Sequence, residues 1–501
     1  MDIDKIQKQL KWIPPGMLTM LERYLKRTPR FRAMLEKEYD EMLGGMETSL
    51  KPYRKDFTSF SRIPERGRAR ANLLQEMEAI KSHEEARWRD GFVSGAVYHG
   101  DQTHIDFLNQ VYAINSQANA LHTDVWPSIA KFEAEVVAMT ADMLGAAQTT
   151  DQICGVVSSG GTESILLAMK TYRDQARDMK GINHPNLVAP TTAHPAFDKA
   201  GSYFGIQVIR VPVDEKFRAV PSTMQRALNR NTIAMLGTAG TYPHGVVDPI
   251  PELSEIARQH KIGFHTDGCL GGFILPWAEK LNYKVTPFDF RLPGVTSISA
   301  DTHKYGYAAK GTSVVLYRGL ELRRYQYFAA TDWPGGLYLS PSFAGSRSGA
   351  LVAVSWAAML SMGAEGYLSA AKKILESTQQ LRAGVEAIPG LHLLGDSLFI
   401  VAFAADSLNI YNVMDFMTAR GWSLNPLQRP PGVHLSVTLR HAEAGVSQRF
   451  LADLRAAVEH VRANPQEQGE SAPLYGTASN LPLRGVVAEM LKRYIDLLYR
   501  V

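Results

Sequence analysis

Between about residues 96 and 370, short apolar runs alternate with stretches whose apolar residues recur every three or four positions. The runs at 153–157, 187–188, 208–213, 233–236, 262–264 and 297–299 have the pattern of strands covered on both faces, whereas 165–172 carries a helical repeat. This strand-then-helix order predicts βα units and an α/β domain built on a mostly parallel sheet. A smaller C-terminal α/β domain is expected over 371–463, with strands at 398–403 and 433–439 and helices at 410–419 and 446–461.

The two ends read differently. Residues 1–95 are polar, with Trp12-Ile13, Leu18, Leu21 and Leu25 at helix-like intervals and Pro14-Pro15 as a break, which predicts a helical N-terminal extension. The segment 464–478 is rich in Pro, Gly, Gln and Ser and reads as a linker, while 484–498 has the spacing of an amphipathic helix. Together 464–501 form the expected C-terminal arm. No internal repeat is found.

Composition narrows the function classes. At 501 residues, with 45% hydrophobic and 21% charged residues, the chain is ordinary for a folded globular protein. A net charge of +4 gives no general case for a nucleic-acid partner, and the basic segments 26–32 and 62–70 read as solvated faces. With only Cys154 and Cys269, a disulfide framework is excluded and a reducing, cytoplasmic setting is expected. The start Met1-Asp2-Ile3-Asp4-Lys5 lacks the basic-then-apolar order of a secretory signal. The apolar stretch 350–362 falls short of the roughly 20 residues that cross a bilayer, so no transmembrane segment is expected.

Four features occur in one order: the loop Ser158-Ser159-Gly160-Gly161-Thr162-Glu163-Ser164, then His194, Asp267 and Lys304. The loop follows an apolar run and opens a helix, so its unpaired N–H groups and the positive helix end suit a phosphate. A Gly-Gly turn alone is usually only a turn, and this one matches neither the Walker loop nor the dinucleotide fingerprint. Asp267 ends an apparent strand, where a carboxylate points into the crevice above a parallel sheet. A buried carboxylate needs a cationic partner, and a protonated pyridine nitrogen is one. Lys304 also follows an apolar run; desolvation or neighbouring positive charge would leave its amine partly unprotonated and able to condense with an aldehyde. His194 falls where a strand would end and offers a flat ring for stacking, and His303 stands beside Lys304.

The motifs Ser-Ser-Gly-Gly-Thr-Glu-Ser, Thr-Ala-His, His-Thr-Asp-Gly-Cys-Leu-Gly-Gly-Phe and Ser-Ala-Asp-Thr-His-Lys-Tyr-Gly resemble the group II decarboxylase-like enzymes that use pyridoxal 5′-phosphate (PLP). Within that group the chain resembles the sphingosine-1-phosphate lyase family, from about Gly95 to Thr438. The resemblance implies the PLP-dependent transferase fold type I, with a large domain over 96–370 on a mostly parallel seven-stranded sheet. It also implies a homodimer whose active sites lie at the subunit interface. PLP would be held through its phosphate by Gly161, Thr162 and His303, with Ser346 reaching in from the other subunit. His194 would cover the ring, Asp267 would hold the pyridinium, and Lys304 would bond the aldehyde carbon. Tyr98, His122 and Lys310 are implied as binders of a substrate phosphate, and Tyr98 and Tyr242 as further catalytic residues.

The implied reaction is retro-aldol cleavage of a phosphorylated sphingoid base to a long-chain aldehyde and phosphoethanolamine. The base for the C3 hydroxyl stays open among Tyr98, Tyr242, freed Lys304 and a cofactor phosphate oxygen. An amino-acid decarboxylase is the alternative, because fold and cofactor residues do not select the substrate. A non-catalytic interaction protein is disfavoured by the presence of both Lys304 and Asp267. Gly268 departs from the alanine typical of relatives, and no membrane-anchoring N-terminal helix is expected, which leaves transient membrane-surface contact as a route to an amphiphile. No metal site is expected.

Overall fold

The structure, a computed structural model, describes residues 24–467 and 484–501 together with Met17, Met20, Glu22 and Gly469. Trp12-Ile13, Pro14-Pro15, Leu18, Leu21 and much of the expected linker at 464–478 lie outside the described residues. The central sheet contains β1 (Ile153–Ser158), β2 (Asn186–Pro190), β3 (Gln207–Val211), β4 (Thr232–Thr238), β5 (Gly263–Asp267), β6 (Ser297–Ala300) and β7 (Ser313–Arg318). Its order is β1-β7-β6-β5-β4-β2-β3, and β7 alone runs against its neighbours. Parallel neighbours require crossover connections, which helices such as Gly161–Lys180 and Ile250–Gln259 supply. β2 and β4 are buried at every residue, in keeping with their unbroken apolar runs.

Two strands differ from the expected spans for identifiable reasons. β3 stops at Val211 because Pro212 has no N–H to continue the ladder. β5 continues beyond its apolar run through His265 and Thr266, which are fully buried yet satisfied. His265 Nδ1 pairs with Ser297 Oγ at 2.7 Å, and Thr266 Oγ1 donates to Phe288 O at 2.9 Å.

A short hairpin, β8 (Phe328–Ala330) and β9 (Tyr338–Ser340), follows the large sheet. The C-terminal sheet comprises β10 (Leu391–Leu393), β11 (Ile400–Ala405), β12 (Asn425–Gln428) and β13 (Pro431–Ser436), ordered β10-β11-β13-β12 and antiparallel throughout. The helices Ile410–Ala419 and Val446–Ala463 pack on each other beside it. The long helix Gly349–Glu386 joins the two sheets, and the expected boundary at 370 falls inside it.

The stretch 350–362 is only the first part of that helix. Its apolar face resumes after the break at Gly363 (φ 55°) and continues through Tyr367, Ile374, Leu381 and Val385. By length and composition alone the helix is long and apolar enough to cross a membrane; here those four side chains are buried in the protein core. In the N-terminal extension, the helices Pro29–Leu50 and Arg70–Arg89 precede a segment docked on the small domain, where Ser94 N–H donates to Ser423 O (2.9 Å) and Gly95 N–H to Ser436 O (3.0 Å). The final helix Arg484–Tyr499 packs back on Pro29–Leu50, with both guanidinium nitrogens of Arg493 on the Glu36 carboxylate at 2.6 and 2.7 Å.

Candidate active site

A cavity of about 570 Å³ opens at the C-terminal ends of β1, β4, β5 and β6, between the large sheet and the small domain. β1 ends at Ser158, and the chain turns through Gly160, whose φ of 153° favours glycine, into the helix Gly161–Lys180. A Cβ on Gly161 would lie 2.7 Å from both Asp301 carboxylate oxygens and from Cys269 Sγ. Glu163 in the first helical turn accepts hydrogen bonds from Ser159 N–H at 2.6 Å and Phe343 N–H at 3.1 Å, which holds the loop in place. Beneath it the hydroxyls of Ser158, Ser164 and Ser313 form a chain with links of 2.7 and 2.9 Å. Gly161 and Thr162 thus bring the start of a helix, where N–H groups lack intrahelical partners, to the cavity wall.

Asp267 stands at the end of β5, only 4% exposed, and Oδ1 accepts the Cys269 N–H at 3.1 Å. Among the described residues no basic side chain forms an ion pair with it. Lys304 does have a counter-ion: its Nζ lies 2.8 Å from Oδ2 of the buried Asp301. Burial opposes the charge on Lys304, but the Asp301 carboxylate outweighs it and holds the amine well above the ordinary lysine range. Burial likewise opposes the charge on Asp301, and Lys304 and His303 hold its carboxyl below the ordinary range. The expectation of a partly unprotonated amine is therefore corrected, because the lysine carries its own buried anion three residues upstream. His303 keeps its ring in place by donating from Nδ1 to Thr312 O.

His194 reaches the same cavity from the turn after β2, and its Nδ1 accepts the Ala196 N–H at 3.1 Å. Packing around the ring lowers its pKa, so the imidazole is neutral with its proton on Nε2. Tyr98 is buried edge-on against Tyr305 at 4.8 Å, and burial pushes its phenol up to about 12. Lys310 places its ammonium 5.0 Å from the centre of the Tyr98 ring. Much of the Lys310 side chain meets solvent, but desolvation of its amine, reinforced by Lys304, lowers its pKa to about 8. Tyr242 also lines the cavity, edge-on to His434 at 4.8 Å.

Tyr98, Gly161, Thr162, His194, Tyr242, Asp267, His303 and Lys304 therefore share one cavity. Lys310, exposed beside Tyr98, is outside its lining, and so are the exposed Ser346 and His122. The latter two cluster on Asn119 instead: Asn119 Nδ2 donates to Ser346 Oγ at 3.1 Å, and His122 N–H donates to Asn119 O at 3.0 Å. Two parts of the site lacked an assigned role in the sequence. Asp301 was quoted within the lysine motif, and its position just after a buried strand, three residues before a lysine, was the available signal. The wall made by Ser94, Asn425 and Ser436 has no local motif at all.

The donor set fits PLP. Gly161 leaves room where any side chain would collide, Asp267 is a buried carboxylate, and Thr238 Oγ1 is a buried hydroxyl on the cavity wall with no hydrogen-bond partner among the described residues. A lysine set between the cradle and Asp267 completes a site for an aldehyde cofactor carrying a phosphate and a pyridine nitrogen. Residues 96–404 match the pyridoxal-dependent decarboxylase conserved domain, and the chain belongs to that family, with pyridoxal 5′-phosphate as its cofactor.

Within the family the similarity is to sphingosine-1-phosphate lyases. The Arabidopsis thaliana sphingosine-1-phosphate lyase is 46% identical over 482 residues, covering 95% of this chain and 87% of the relative. The structure of the Burkholderia pseudomallei sphingosine-1-phosphate lyase shares 42% identity with a TM-score of 0.83, over 90% of this chain and 99% of that one. Lactobacillus brevis glutamate decarboxylase, at 19% identity and a TM-score of 0.70 over 84% of this chain and 98% of its own, shows the shared fold.

Proposed function

We propose that this enzyme cleaves phosphorylated sphingoid bases such as sphingosine 1-phosphate, by retro-aldol chemistry, to a long-chain aldehyde and phosphoethanolamine. Its likeness to named lyases supports this over most of the chain. The observation that carries it is the placement of Lys310: a second cation, exposed outside the cavity lining but set over the ring of Tyr98 on its wall, is available to a substrate phosphate.

When bound, PLP withdraws electrons from C2 of the substrate so that the C2–C3 bond can break. Asp267, a buried carboxylate on the cavity wall, would accept a hydrogen bond from the ring nitrogen and keep a proton there. His194 would cover the ring, and Gly161, Thr162 and His303 would hold the phosphate. Lys304 Nζ, held as an ammonium by Asp301 Oδ2, is suited to donate the proton that C2 needs once the aldehyde has left. Tyr98, with its raised pKa, is a proton donor at neutral pH and therefore serves as a ligand of the substrate phosphate beside Lys310. Tyr242, which lines the same cavity, remains the chain's candidate base for the C3 hydroxyl.

The proposal includes a homodimer in which Ser346 and His122 of one copy complete the phosphate sites of the other; their joint placement on Asn119, outside their own cavity, supports this. A cytoplasmic setting is supported by Cys154 and Cys269, both free and buried. Transient contact with a membrane surface would deliver the amphiphile. The test is product analysis by mass spectrometry after incubation with a phosphorylated sphingoid base and, separately, with glutamate and aromatic amino acids. Aldehyde and phosphoethanolamine are expected from the first; carbon dioxide and amine from the others, without aldehyde, would replace the reading with a decarboxylase.

A further inference from the structure

Asn425 begins β12 in the small domain and contributes to the cavity wall formed with Ser94 and Ser436. Two partners, Ser94 and His434, fix the orientation of its amide, and Pro243 O sets the tautomer of the second. Pro243 O carries no proton, so His434 Nδ1, 3.0 Å away, donates to it. Burial lowers the His434 pKa to about 4, which leaves the ring neutral and Nε2 an acceptor at physiological pH. The Asn425 atom 3.0 Å from Nε2 must then be nitrogen. The other Nδ2 proton goes to Ser94 Oγ at 2.6 Å, and that oxygen also accepts the Ser436 N–H at 2.8 Å. Both amide protons are consumed within the protein. What Asn425 has left to offer a ligand is Oδ1, an acceptor with no hydrogen-bond partner among the described residues.

We propose that Asn425 Oδ1 accepts a hydrogen bond from the C3 hydroxyl of the substrate, which makes Asn425 a specificity-determining residue for 2-amino-1,3-diol phosphates. This rests on the lyase reading above and deepens it. A phosphorylated 2-amino-1,3-diol brings three polar groups to the cavity: an amine, the C3 hydroxyl and a phosphate. The amine would be engaged by the cofactor beside Lys304, and a phosphate monoester is mostly dianionic at neutral pH and offers acceptors. The C3 hydroxyl is the donor that remains to meet a carbonyl oxygen. The same oxygen opposes a carboxylate, so this wall disfavours α-amino acids while it favours a hydroxyl at the adjacent carbon. The Pro243, His434 and Ser94 contacts hold the amide in one orientation, so the selectivity needs no rearrangement when substrate binds.

The test uses holoenzyme and a matched pair of ligands, a phosphorylated 2-amino-1,3-diol and its 3-deoxy counterpart. Their affinities are read from the cofactor absorbance in stopped-flow before turnover. Wild type is expected to bind the diol about fivefold to a hundredfold more tightly, the range that follows when a ligand leaves an enclosed acceptor unpaired. In Asn425→Leu and Asn425→Ala that preference falls below about threefold, with 3-deoxy affinity and cofactor occupancy retained. A Leu or Ala variant that loads cofactor and keeps the wild-type preference overturns the proposal. Failure of wild type to cleave the diol would overturn the lyase reading instead, while a cleaving enzyme whose preference ignores position 425 would overturn only this inference.

Discussion

Replacing Asp301 by Asn removes the charge that holds Lys304 protonated while changing little of its shape. The carboxylate oxygen lies 2.8 Å from Nζ. At an effective dielectric of about 20, two unit charges so close attract by about 6 kcal/mol, equivalent to about four pKa units. The desolvation of Lys304 and the repulsion from Lys310 stay in place when the anion is gone. Since the folded pKa is raised, Lys304 is charged at all pH values below it and becomes reactive only as pH rises through it. The Asn variant should thus expose a neutral amine several pH units earlier. The groups facing the pair are His303, Cys269, Tyr98 and Lys310, and none replaces the missing carboxylate. The assay is reductive methylation of the cofactor-stripped enzyme across pH 6 to 10, with modification of the Lys304 peptide followed by mass spectrometry. Wild type should show a rate that climbs about tenfold per pH unit throughout, and Asp301→Asn a rate that is faster at neutral pH and levels off within the range. Superimposable pH profiles would refute the assignment of Asp301 as the group that sets the protonation of Lys304.

Asp267→Asn should bind PLP yet lose most turnover, because the ring nitrogen loses its anionic partner; near-normal kcat in a cofactor-loaded variant would contradict this. Lys310→Ala should lower kcat/KM about tenfold to a hundredfold for the phosphorylated substrate and much less for the unphosphorylated base. With its pKa lowered to about 8, Lys310 is charged below that pH and neutral above it, so KM for the phosphorylated substrate should rise between pH 7 and 9 and this rise should vanish in Lys310→Arg. Gly161→Ala should weaken PLP binding at least about tenfold by spectroscopic titration, since its Cβ would meet Asp301 and Cys269 at 2.7 Å.

Much of the large domain was legible because its strands are buried on both faces and read as apolar runs between helical repeats. Asp267 and Lys304 were legible because each follows such a run, where a parallel sheet presents its ligand-binding edge. Where burial is achieved by hydrogen-bonded polar residues the signal fails, which is why β5 is longer than its apolar run through His265 and Thr266. Asn425 illustrates a second limit. It lies 121 positions beyond Lys304 on a strand with no local motif, and only the docking of residues 93–98 on the small domain brings Ser94 beside it. The packing of Arg484–Tyr499 on Pro29–Leu50 depends on a pairing between distant helices that neither repeat specifies alone.

The helix Gly349–Glu386 has a thermodynamic consequence. After Gly363 it supplies Tyr367, whose ring stacks on Trp277 at 5.3 Å and whose hydroxyl donates to Gly306 O beside the lysine loop. Further along it supplies Ile374, Leu381 and Val385 to the same continuous core that contains Phe399, Val401 and Phe403 of the small domain. Melting either sheet would strip partners from a helix on which the other depends, so the two behave as one cooperative unit. Calorimetry should accordingly record a single unfolding transition for 96–463, with the small domain as hard to excise by limited proteolysis as any strand of the central sheet.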